Sequence, residues 1–263
     1  MNNLPARGAA PALAVTCAAT VVVIPAYNEA GSIREVVMTA MRHAGAAVIV
    51  VVDDGSSDAT AACLDGLPVT LLRNQRNLGK AASLWRGFEL ALQMQASRVV
   101  TLDGDGQHRP EDMDRLLQAA ERMPSAIVIG ARLHQREQFP PARYWANRLA
   151  RFLVSWAAGY YIADSQSGFR VYPAALLRQL RREDVPGEGF VFESEILIAA
   201  ARRGVRSIAV DIPAIYHHAA RPSHFHPVRD ILGIGCMLAR HLLRRGLYPA
   251  GLWRALRRAG PPQ

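Results

Sequence analysis

Short apolar runs and longer amphipathic segments alternate along the first half of the chain. The apolar runs are rich in valine and isoleucine, as strands are, and lie at residues 20–24, 48–52, 69–72, 99–102 and 126–129. The segments between them have apolar residues three and four apart, as helices do, and lie at residues 31–43, 57–64, 79–94 and 110–123. Ser57 or Asp58 is the expected cap of the second helix, and Pro110 falls in the first turn of the fourth. This alternation predicts an α/β fold with a mostly parallel sheet flanked by helices.

The pattern changes after residue 131, where two arginine-rich amphipathic stretches follow. The first covers residues 143–162 and carries many aromatic side chains, and the second covers residues 227–247. A short basic helix is expected over residues 246–258. The longest uncharged run of the first stretch, residues 152–163, is too short to cross a bilayer. These helices are therefore expected to lie on a membrane surface, or to pack on the domain with an arginine face toward solvent.

Half of the 263 residues are apolar, which is enough for a sizeable hydrophobic core. We expect a flexible tail rather than a signal peptide over residues 1–19, an α/β domain over residues 20–225, and a basic helical extension over residues 226–263. The three cysteines lack metal-ligand spacing, and we expect buried thiols in a reducing, cytoplasmic compartment: Cys17, Cys63 and Cys236.

The chain has a net charge of +9, and Lys80 is its only lysine. Eight arginines face a single acid, Asp230, over residues 221–263. Such a segment requires an anionic partner or water. No zinc finger, RNA-binding motif or helix-turn-helix pattern accompanies the charge, so nucleic acid is not an expected partner. We expect an anionic membrane surface instead, with the protein peripheral at the inner face of the cell membrane.

The loop after the apolar run at residues 99–102 carries two carboxylates and an amide. Asp103 and Asp105 are two residues apart, so in an extended segment their side chains point the same way, and Gln107 adds a neutral oxygen. These hard oxygen donors suit Mg²⁺ or Mn²⁺ on a phosphate better than they suit zinc. A solvated Asp-Gly-Asp-Gly turn is the alternative.

Polar loops also follow the first two predicted strands. Residues 24–29 read IPAYNE, and residues 52–60 read VDDGSSDAT with the paired carboxylates Asp53 and Asp54. Carboxylates at the ends of parallel strands can hydrogen-bond a ribose or a base. Ser56 and Ser57 are expected to cap the next helix.

Six motifs occur in order along residues 20–225. They are IPAYNE at residues 24–29, VDDGSSDAT at 52–60, NLGKAASLWRG at 77–87, LDGDGQHRPED at 102–112, GAR at 130–132 and DSQSGFRVY at 164–172. With these motifs the chain resembles the family 2 glycosyltransferases of GT-A fold, and within them the dolichol-phosphate or polyprenyl-phosphate mannosyl- and glucosyltransferase branch. No dinucleotide-binding GxGxxG or Walker loop competes with this interpretation.

The resemblance implies a role for each matching residue. Asp103 and Asp105 would bind ribose and a Mg²⁺ or Mn²⁺ ion on the diphosphate of a nucleotide-sugar donor, and Gln107 would complete the metal site. Lys80, at the start of a helix, would meet phosphate, or would be a plain surface lysine. Arg132 would lie near the donor or acceptor phosphates, or would form a simple salt bridge. The base and ribose would be held by Pro25, Tyr27, Glu29, Asp53 and Asp54.

The acceptor decides whether a catalytic base is required. A hydroxyl acceptor needs a carboxylate to take its proton, and Asp164, Glu193 and Glu195 are the candidates. A lipid monophosphate needs none, because its second pKa is about 6 and its oxygen is largely anionic near neutral pH. The two glutamates open a helix predicted over residues 192–202, so stabilisation by the helix dipole is an equal explanation for them.

The expected acceptor contacts are Arg170, Arg221, Ser223 and His224. His224 stands where the mannosyltransferase branch usually has lysine, and this departure leaves the acceptor contact in doubt. A zinc site among the nearby histidines is disfavoured by their spacing and by the lack of cysteines. A second departure is that no transmembrane pair follows the domain, so contact with a lipid acceptor would be peripheral.

The leading hypothesis is an inverting, metal-dependent enzyme that moves a hexose from a nucleotide sugar to a lipid-linked acceptor at the cytoplasmic membrane face. Transfer to a non-isoprenoid acceptor, such as a pigment, polyketide lipid or polysaccharide, is the second hypothesis. An inactive relative that binds a nucleotide sugar is the third, and the intact set of Asp103, Asp105 and Gln107 argues against it.

Overall fold

The computed structural model describes residues 19–132, 141–213 and 227–256, without the side chains of residues 141–147, 190 and 227–232. The predictions for the tail at residues 1–18 and for Cys17 lie outside these ranges. So do those for Arg221, Ser223 and His224.

The described chain alternates strands and helices through its first half, as the hydrophobic pattern predicts. The strands are β1 (Thr20–Ala26), β2 (Val48–Asp53), β3 (Thr70–Arg73), β4 (Arg98–Thr101), β5 (Ile127–Ala131), β6 (Arg170–Pro173) and β7 (Ser207–Asp211). The helices are α1 (Ile33–His43), α2 (Lys80–Gln93), α3 (Met113–Arg122), α4 (Pro141–Ala158), α5 (Ala174–Leu177), α6 (Phe190–Arg202), α7 (Pro227–Leu243) and α8 (Pro249–Leu256).

These strands form a seven-stranded sheet in the order β3-β2-β1-β4-β6-β5-β7. Strands β1 to β4 are parallel, β7 is parallel to β5, and β6 runs antiparallel to β4 and β5. The predicted mostly parallel α/β sheet is therefore confirmed. The pattern missed β6 (Arg-Val-Tyr-Pro) and β7 (Ser-Ile-Ala-Val-Asp), because polar residues or proline at their ends leave only two or three apolar residues in a row.

The strand register brings the polar loops to one edge of the sheet. Ala26 pairs with Asp53, so β1 and β2 end side by side. Thr101 at the end of β4 pairs with Arg170, the first residue of antiparallel β6. The loop that follows β4 and the segment that precedes β6 therefore meet at the edge where β1 and β2 end.

The hydrophobic core lies on both faces of the sheet, because alternate residues of a strand point to opposite sides. Val21 and Val23 of β1 join one cluster, which packs against α2, α4 and α6. Val22 and Ile24 of the same strand join the other, which packs against α1 and α3. Burial on both faces explains why β1 is a continuous apolar run.

The helix predicted over residues 57–64 is wrong, and so is the capping role of Ser56 and Ser57. The segment is a turn that ends in a short 3₁₀ helix, Ala62–Leu64. Its polar side chains instead bind backbone amides of the loop after β1, which removes them as helix caps. The pairs are Asn28 N to Ser56 Oγ (2.9 Å), Glu29 N to Thr60 Oγ1 (2.8 Å) and Ala30 N to Asp58 Oδ2 (3.2 Å).

The arginine-rich helices pack on the domain through their apolar sides. Helix α7 contacts α4 and α6 and buries Ile234, Met237, Leu238 and Leu242. Helix α8 packs on α4. No described helix is both long and apolar enough to cross a membrane. The expectation of buried thiols is wrong for Cys236, which is exposed on α7.

Candidate active site

The loops after β1 and β4 are joined by one serine. Ser32 Oγ donates to the carbonyl of Gly104 (2.7 Å) and lies 3.3 Å from a carboxylate oxygen of Glu29. Tyr27 and Glu29 are half-buried at this edge, whereas Pro25 is buried in the sheet. The structure therefore brings the first polar loop and the Asp103 loop together.

Asp53 and Asp54 are used within the protein. Asp53 is fully buried; it accepts the amide of Ser56 (2.9 Å) and lies 3.0 Å from Arg73 Nε. This enclosure contradicts a direct contact of Asp53 with a ligand. Asp54 is nearly as buried and fixes the segment that leads into α2. It accepts from Asn74 Nδ2 (2.7 Å) and from the amides of Leu78 (2.9 Å) and Gly79 (2.8 Å).

Lys80 links three elements at the centre of this edge. Its Nζ lies 2.6 Å from Oδ1 of Asp103 and 2.9 Å from Oε1 of Glu193 on α6. Burial alone would lower the pKa of Lys80, but the two carboxylates outweigh it and raise that pKa. Lys80 stays charged and is not a plain surface lysine, so that alternative is wrong. Burial favours a higher pKa for Asp103, but the charge and hydrogen bond of Lys80, together with the other positive neighbours, outweigh burial and lower that pKa.

Asp105 has the opposite electrostatic environment. Burial and then the negative charge of Asp103 raise the pKa of Asp105, although the amide of Gln107 donates to its Oδ1 (2.9 Å). A divalent cation would relieve this repulsion. Two carboxylates and the side-chain oxygen of Gln107 are ligands that Mg²⁺ or Mn²⁺ prefers. The residues present therefore fit the predicted metal. Within the described ranges, no group of three or more His, Cys, Asp or Glu side chains could hold a metal ion, and this loop supplies only two such side chains with Gln107.

A neutral histidine separates Asp103 from Arg132. His108 is buried; its Nε2 lies 3.9 Å from Asp103 Oδ2 and 3.1 Å from Nη2 of Arg132. Burial and the charge of Arg132 lower the pKa of His108 to about 3, so the ring is uncharged at neutral pH. The Arg132 guanidinium is thus held beside a ring nitrogen, at the rim of the Asp103 loop.

Asp164 lies next to Arg132 in the segment that precedes β6. Its Oδ2 accepts the backbone amide of Arg132 (3.4 Å), and its Oδ1 accepts the amides of Gln166 (2.9 Å) and Ser167 (3.1 Å). The side chain is half-buried, so part of it faces solvent. Among the three carboxylates proposed as a base, Asp164 is the most accessible.

Arg170 is fully buried, which contradicts its predicted contact with an acceptor phosphate. All three guanidinium nitrogens have protein partners. They donate to the carbonyls of Ser167 (2.7 Å), Glu193 (2.7 Å) and Ser165 (3.0 Å), and to the Tyr172 hydroxyl (3.2 Å). Nη1 also lies 3.4 Å from the Glu193 carboxylate. Arg170 therefore positions Glu193 rather than a substrate.

Glu195 faces away from the Asp103 loop. Two residues of helix rotate it about 200° from Glu193. Its carboxylate accepts the amide of Gly187 (2.6 Å) and contacts His241 (3.1 Å) and Arg240 on α7. The prediction of Glu195 as a catalytic base is contradicted by this full burial against α7.

Sequence reasoning missed one glycine that the site requires. A Cβ atom at Gly168 would lie 2.5 Å from Asp103 Oδ2 and 2.9 Å from Lys80 Nζ. Only glycine lets the segment before β6 approach the ion pair this closely. Its place in the SGF part of a motif was the only signal, and the residues it meets are far away in the sequence.

Comparisons with known proteins agree with this geometry. Residues 21–180 match the model of glycosyl transferase family 2. The polyprenol monophosphomannose synthase of Mycolicibacterium smegmatis is 30% identical over 213 residues, which cover 73% of this chain and 76% of the relative. The UDP-N-acetylglucosamine–dolichyl-phosphate N-acetylglucosaminyltransferase of Methanococcus voltae is 29% identical over 214 residues, covering 74% and 84%. These relatives support the polyprenyl-phosphate branch predicted from the motifs.

Solved structures share the fold at low sequence identity. Glucosyl-3-phosphoglycerate synthase from Mycobacterium tuberculosis, crystallised with Mn²⁺, UDP and phosphoglyceric acid, has a TM-score of 0.62 and 20% identity over 94% of this chain and 80% of its own. Mannosyl-3-phosphoglycerate synthase from Rubrobacter xylanophilus has a TM-score of 0.62 and 16% identity, covering 93% and 79%. The predicted GT-A fold is confirmed, and the chain belongs to glycosyl transferase family 2, as a glycosyltransferase enzyme.

Proposed function

We propose that the protein transfers a hexose from a nucleoside-diphosphate sugar to a polyprenyl phosphate, with inversion at the anomeric carbon. The observation that carries this proposal is the convergence of Lys80, Asp103 and Asp105 at the carboxyl edge of the sheet, beside the loop of Tyr27 and Glu29. The names of the relatives, which act on polyprenyl or dolichyl phosphate, support the acceptor class.

Asp103, Asp105 and Gln107 would hold a Mg²⁺ or Mn²⁺ ion with the donor diphosphate. A bound dication supplies charge that offsets the negative charge developing on the leaving group. The raised pKa of Asp105 fits this role, because its carboxylate gains from a nearby cation.

Lys80 and Arg132 supply the fixed positive charges around the leaving group. Lys80 is anchored by two carboxylates and Arg132 lies beside His108, so neither cation has to be ordered when the donor arrives. Preorganised charge of this kind stabilises the nucleoside diphosphate as it departs. Tyr27 and Glu29 would contact the nucleoside, with Pro25, Asp53 and Asp54 shaping the loops behind them.

A phosphate oxygen of the acceptor would attack the anomeric carbon as the bond to the donor phosphate breaks. No base is required, since that oxygen is largely anionic near neutral pH. If the acceptor is instead a hydroxyl, Asp164 is the accessible carboxylate that would take the proton. Arg221, Ser223 and His224 are proposed to contact the acceptor phosphate, and the protein to act at the inner membrane face.

A non-isoprenoid acceptor is the second candidate, favoured by His224 in place of the branch's lysine. The two candidates are separated by measuring sugar transfer to a panel of acceptors. The panel includes polyprenyl phosphate, sugars and hydroxylated lipids, and transfer to polyprenyl phosphate supports the first candidate.

The donor half is tested by a thermal-shift screen of nucleotide sugars with and without Mn²⁺. Binding to the folded state raises its apparent stability by mass action. We expect at least one nucleotide sugar to raise the melting temperature only with Mn²⁺ in the wild type, and not in the Asp105→Ala variant. The donor assignment is wrong if no nucleotide sugar shifts the wild type, or if the variant shifts equally.

A further inference from the structure

A cleft of about 200 Å³ lies between α4 and α8, and Tyr161, three residues before Asp164, also lines it. Its lining combines two guanidinium groups with apolar and aromatic side chains: Arg148, Arg151, Phe152, Tyr161 and Leu256. We propose that this cleft binds the headgroup phosphate of an anionic phospholipid and so docks the protein on a membrane surface. The inference rests on the proposed function, because it names the surface that brings the enzyme to a lipid acceptor.

Arginines predominate in the two segments that form this part of the molecule, and one of them, Arg240, pairs with Glu195 of α6. Residues 141–163 and 231–256 contain seven arginines and no aspartate or glutamate. Within the cleft, Arg151 donates to the carbonyl of Ala163 (3.3 Å), which anchors its guanidinium group at the cleft. The described residues that line the cleft include no carboxylate, and the group that anchors Arg151 is an uncharged carbonyl, which leaves the positive charge of that side chain in place.

Large apolar side chains are exposed beside these arginines. Leu149, Tyr161, Trp253 and Leu256 are between 41% and 63% exposed. Leu149 lies three residues before Phe152 on α4, and Trp253 three residues before Leu256 on α8, so each exposed side chain shares a helix face with a cleft residue.

Exposed apolar side chains around a basic cleft favour a lipid surface over other anionic partners. Tryptophan, tyrosine and leucine gain by entering the boundary between headgroups and acyl chains, while arginines bind the phosphates. A nucleic acid would match the charge but would leave leucine and tryptophan in water. The packing of α8 on α4 holds both elements in one rigid surface. Trp156 Nε1 donates to the carbonyls of Leu247 and Tyr248 (3.0 and 3.1 Å), which fixes the turn before α8.

The test is co-sedimentation with vesicles of phosphatidylcholine alone and of phosphatidylcholine mixed with phosphatidylglycerol. We expect the wild type to bind only the anionic vesicles, with binding that weakens at high salt. Arg148→Glu/Arg151→Glu should lower the partition coefficient about 30-fold or more, since each basic residue near the surface contributes about fivefold. Trp253→Ser/Leu256→Ser, at exposed positions, should also weaken binding. This second variant tests the surface independently if the arginine variant does not fold, because both of its positions are exposed.

Matched variants elsewhere on the surface serve as controls. Arg122→Glu/Arg182→Glu changes the net charge equally, and Met38→Ser/Met123→Ser removes exposed apolar groups, so both should bind vesicles almost as the wild type does. Equal losses in these controls would overturn the proposal. The proposal would also be overturned if the wild-type protein did not bind anionic vesicles, or if it bound a single-stranded polynucleotide instead.

Two further measurements separate this surface from the active site. Arg148→Glu/Arg151→Glu should transfer sugar to a short, water-soluble acceptor at the wild-type rate, and a lost rate would assign the cleft to catalysis instead. Asp105→Ala should bind anionic vesicles as the wild type does. Failure of glycosyl transfer and failure of membrane docking are thereby distinguished.

Discussion

The Nζ atom of Lys80 lies 2.6 Å from Oδ1 of Asp103 and 2.9 Å from Oε1 of Glu193. This single lysine joins the start of α2, the loop after β4 and the first turns of α6. Its two partners differ in burial: Asp103 is 23% exposed, whereas Glu193 is 2% exposed. Glu193 therefore anchors the lysine from inside the protein, and Asp103 faces the site.

Removal of this lysine should damage catalysis without unfolding the protein. We expect Lys80→Ala to lower kcat/KM for the donor by on the order of 10²-fold, because a fixed positive charge beside the leaving group is lost. Lys80→Arg keeps the charge and should recover part of the rate. Steady-state kinetics with Arg122→Ala as a control measure this effect. A kcat/KM of Lys80→Ala within about twofold of the wild-type value would contradict the role of Lys80 beside the leaving group.

The segment before β6 passes close to the ion pair of Lys80 and Asp103, so one added methyl group at Gly168 should lower activity. In Gly168→Ala, the new Cβ would overlap Asp103 Oδ2 and press on Lys80, so either the ion pair or the backbone must move. We expect a large loss of turnover. Gly235→Ala on α7 adds the same methyl group with no atom within 4 Å and should remain active. Equal activity of the two variants would show that Gly168 has no such constraint.

Arg170 should contribute to stability rather than to substrate binding. Arg170→Met leaves the buried Glu193 with one cation fewer and leaves three carbonyl groups without their donor. We expect a loss of about 3–5 kcal/mol in the free energy of unfolding, measured with denaturant. The exposed control Arg122→Met should change that free energy by less than about 0.5 kcal/mol. A stable Arg170→Met protein with a raised KM for the acceptor would restore the phosphate-contact role.

Glu195 should make stability depend on pH. Burial opposes its ionisation, but the hydrogen bonds from His241 and Gly187 and the charge of Arg240 outweigh burial and lower its pKa below the usual 4.5. A lowered pKa in the folded state stabilises the protein above pH 4.5, and this contribution is lost as the pH falls through the folded value.

Glu195→Gln should therefore cost about 1–3 kcal/mol of unfolding free energy at neutral pH. The difference from the wild type should shrink in acid, as followed by denaturant titration at several pH values. Glu121→Gln is the control, because Glu121 is 66% exposed and lies 3.6 Å from Arg98, a surface pair of little energetic value. A difference that stays constant with pH would show that ionisation of Glu195 is not its source.

The sequence alone predicts the parallel half of the sheet and the Asp103 loop, because both leave local signals. Burial on both faces makes β1 a continuous apolar run, and a strand end must carry polar groups to the edge of the sheet. The loop after β2 was mispredicted for a physical reason. Ser57 and Asp58 favour a helix start locally, but Ser57 donates to the side chain of Asn28 and Asp58 accepts the amide of Ala30 in the neighbouring loop.

The roles of Arg170 and Glu195 were not predictable in this way. Both have side chains that suit catalysis, and only tertiary contacts reveal that one is enclosed beneath Glu193 and the other is held by α7. Residues two positions apart in a helix, such as Glu193 and Glu195, take opposite faces. The periodicity of the helix implies this separation, but which face meets the site depends on how α6 packs against the sheet.

Transfer of labelled sugar from a nucleotide sugar to polyprenyl phosphate tests the central claim most directly. The donor would be one that stabilises the protein with Mn²⁺, and extraction into organic solvent would separate product from donor. The account predicts lipid-linked label with the wild type and Mn²⁺, and none after chelation of the metal or with Asp105→Ala. Absence of label with the wild type would contradict the acceptor, and undiminished transfer by Asp105→Ala would contradict the metal-binding loop.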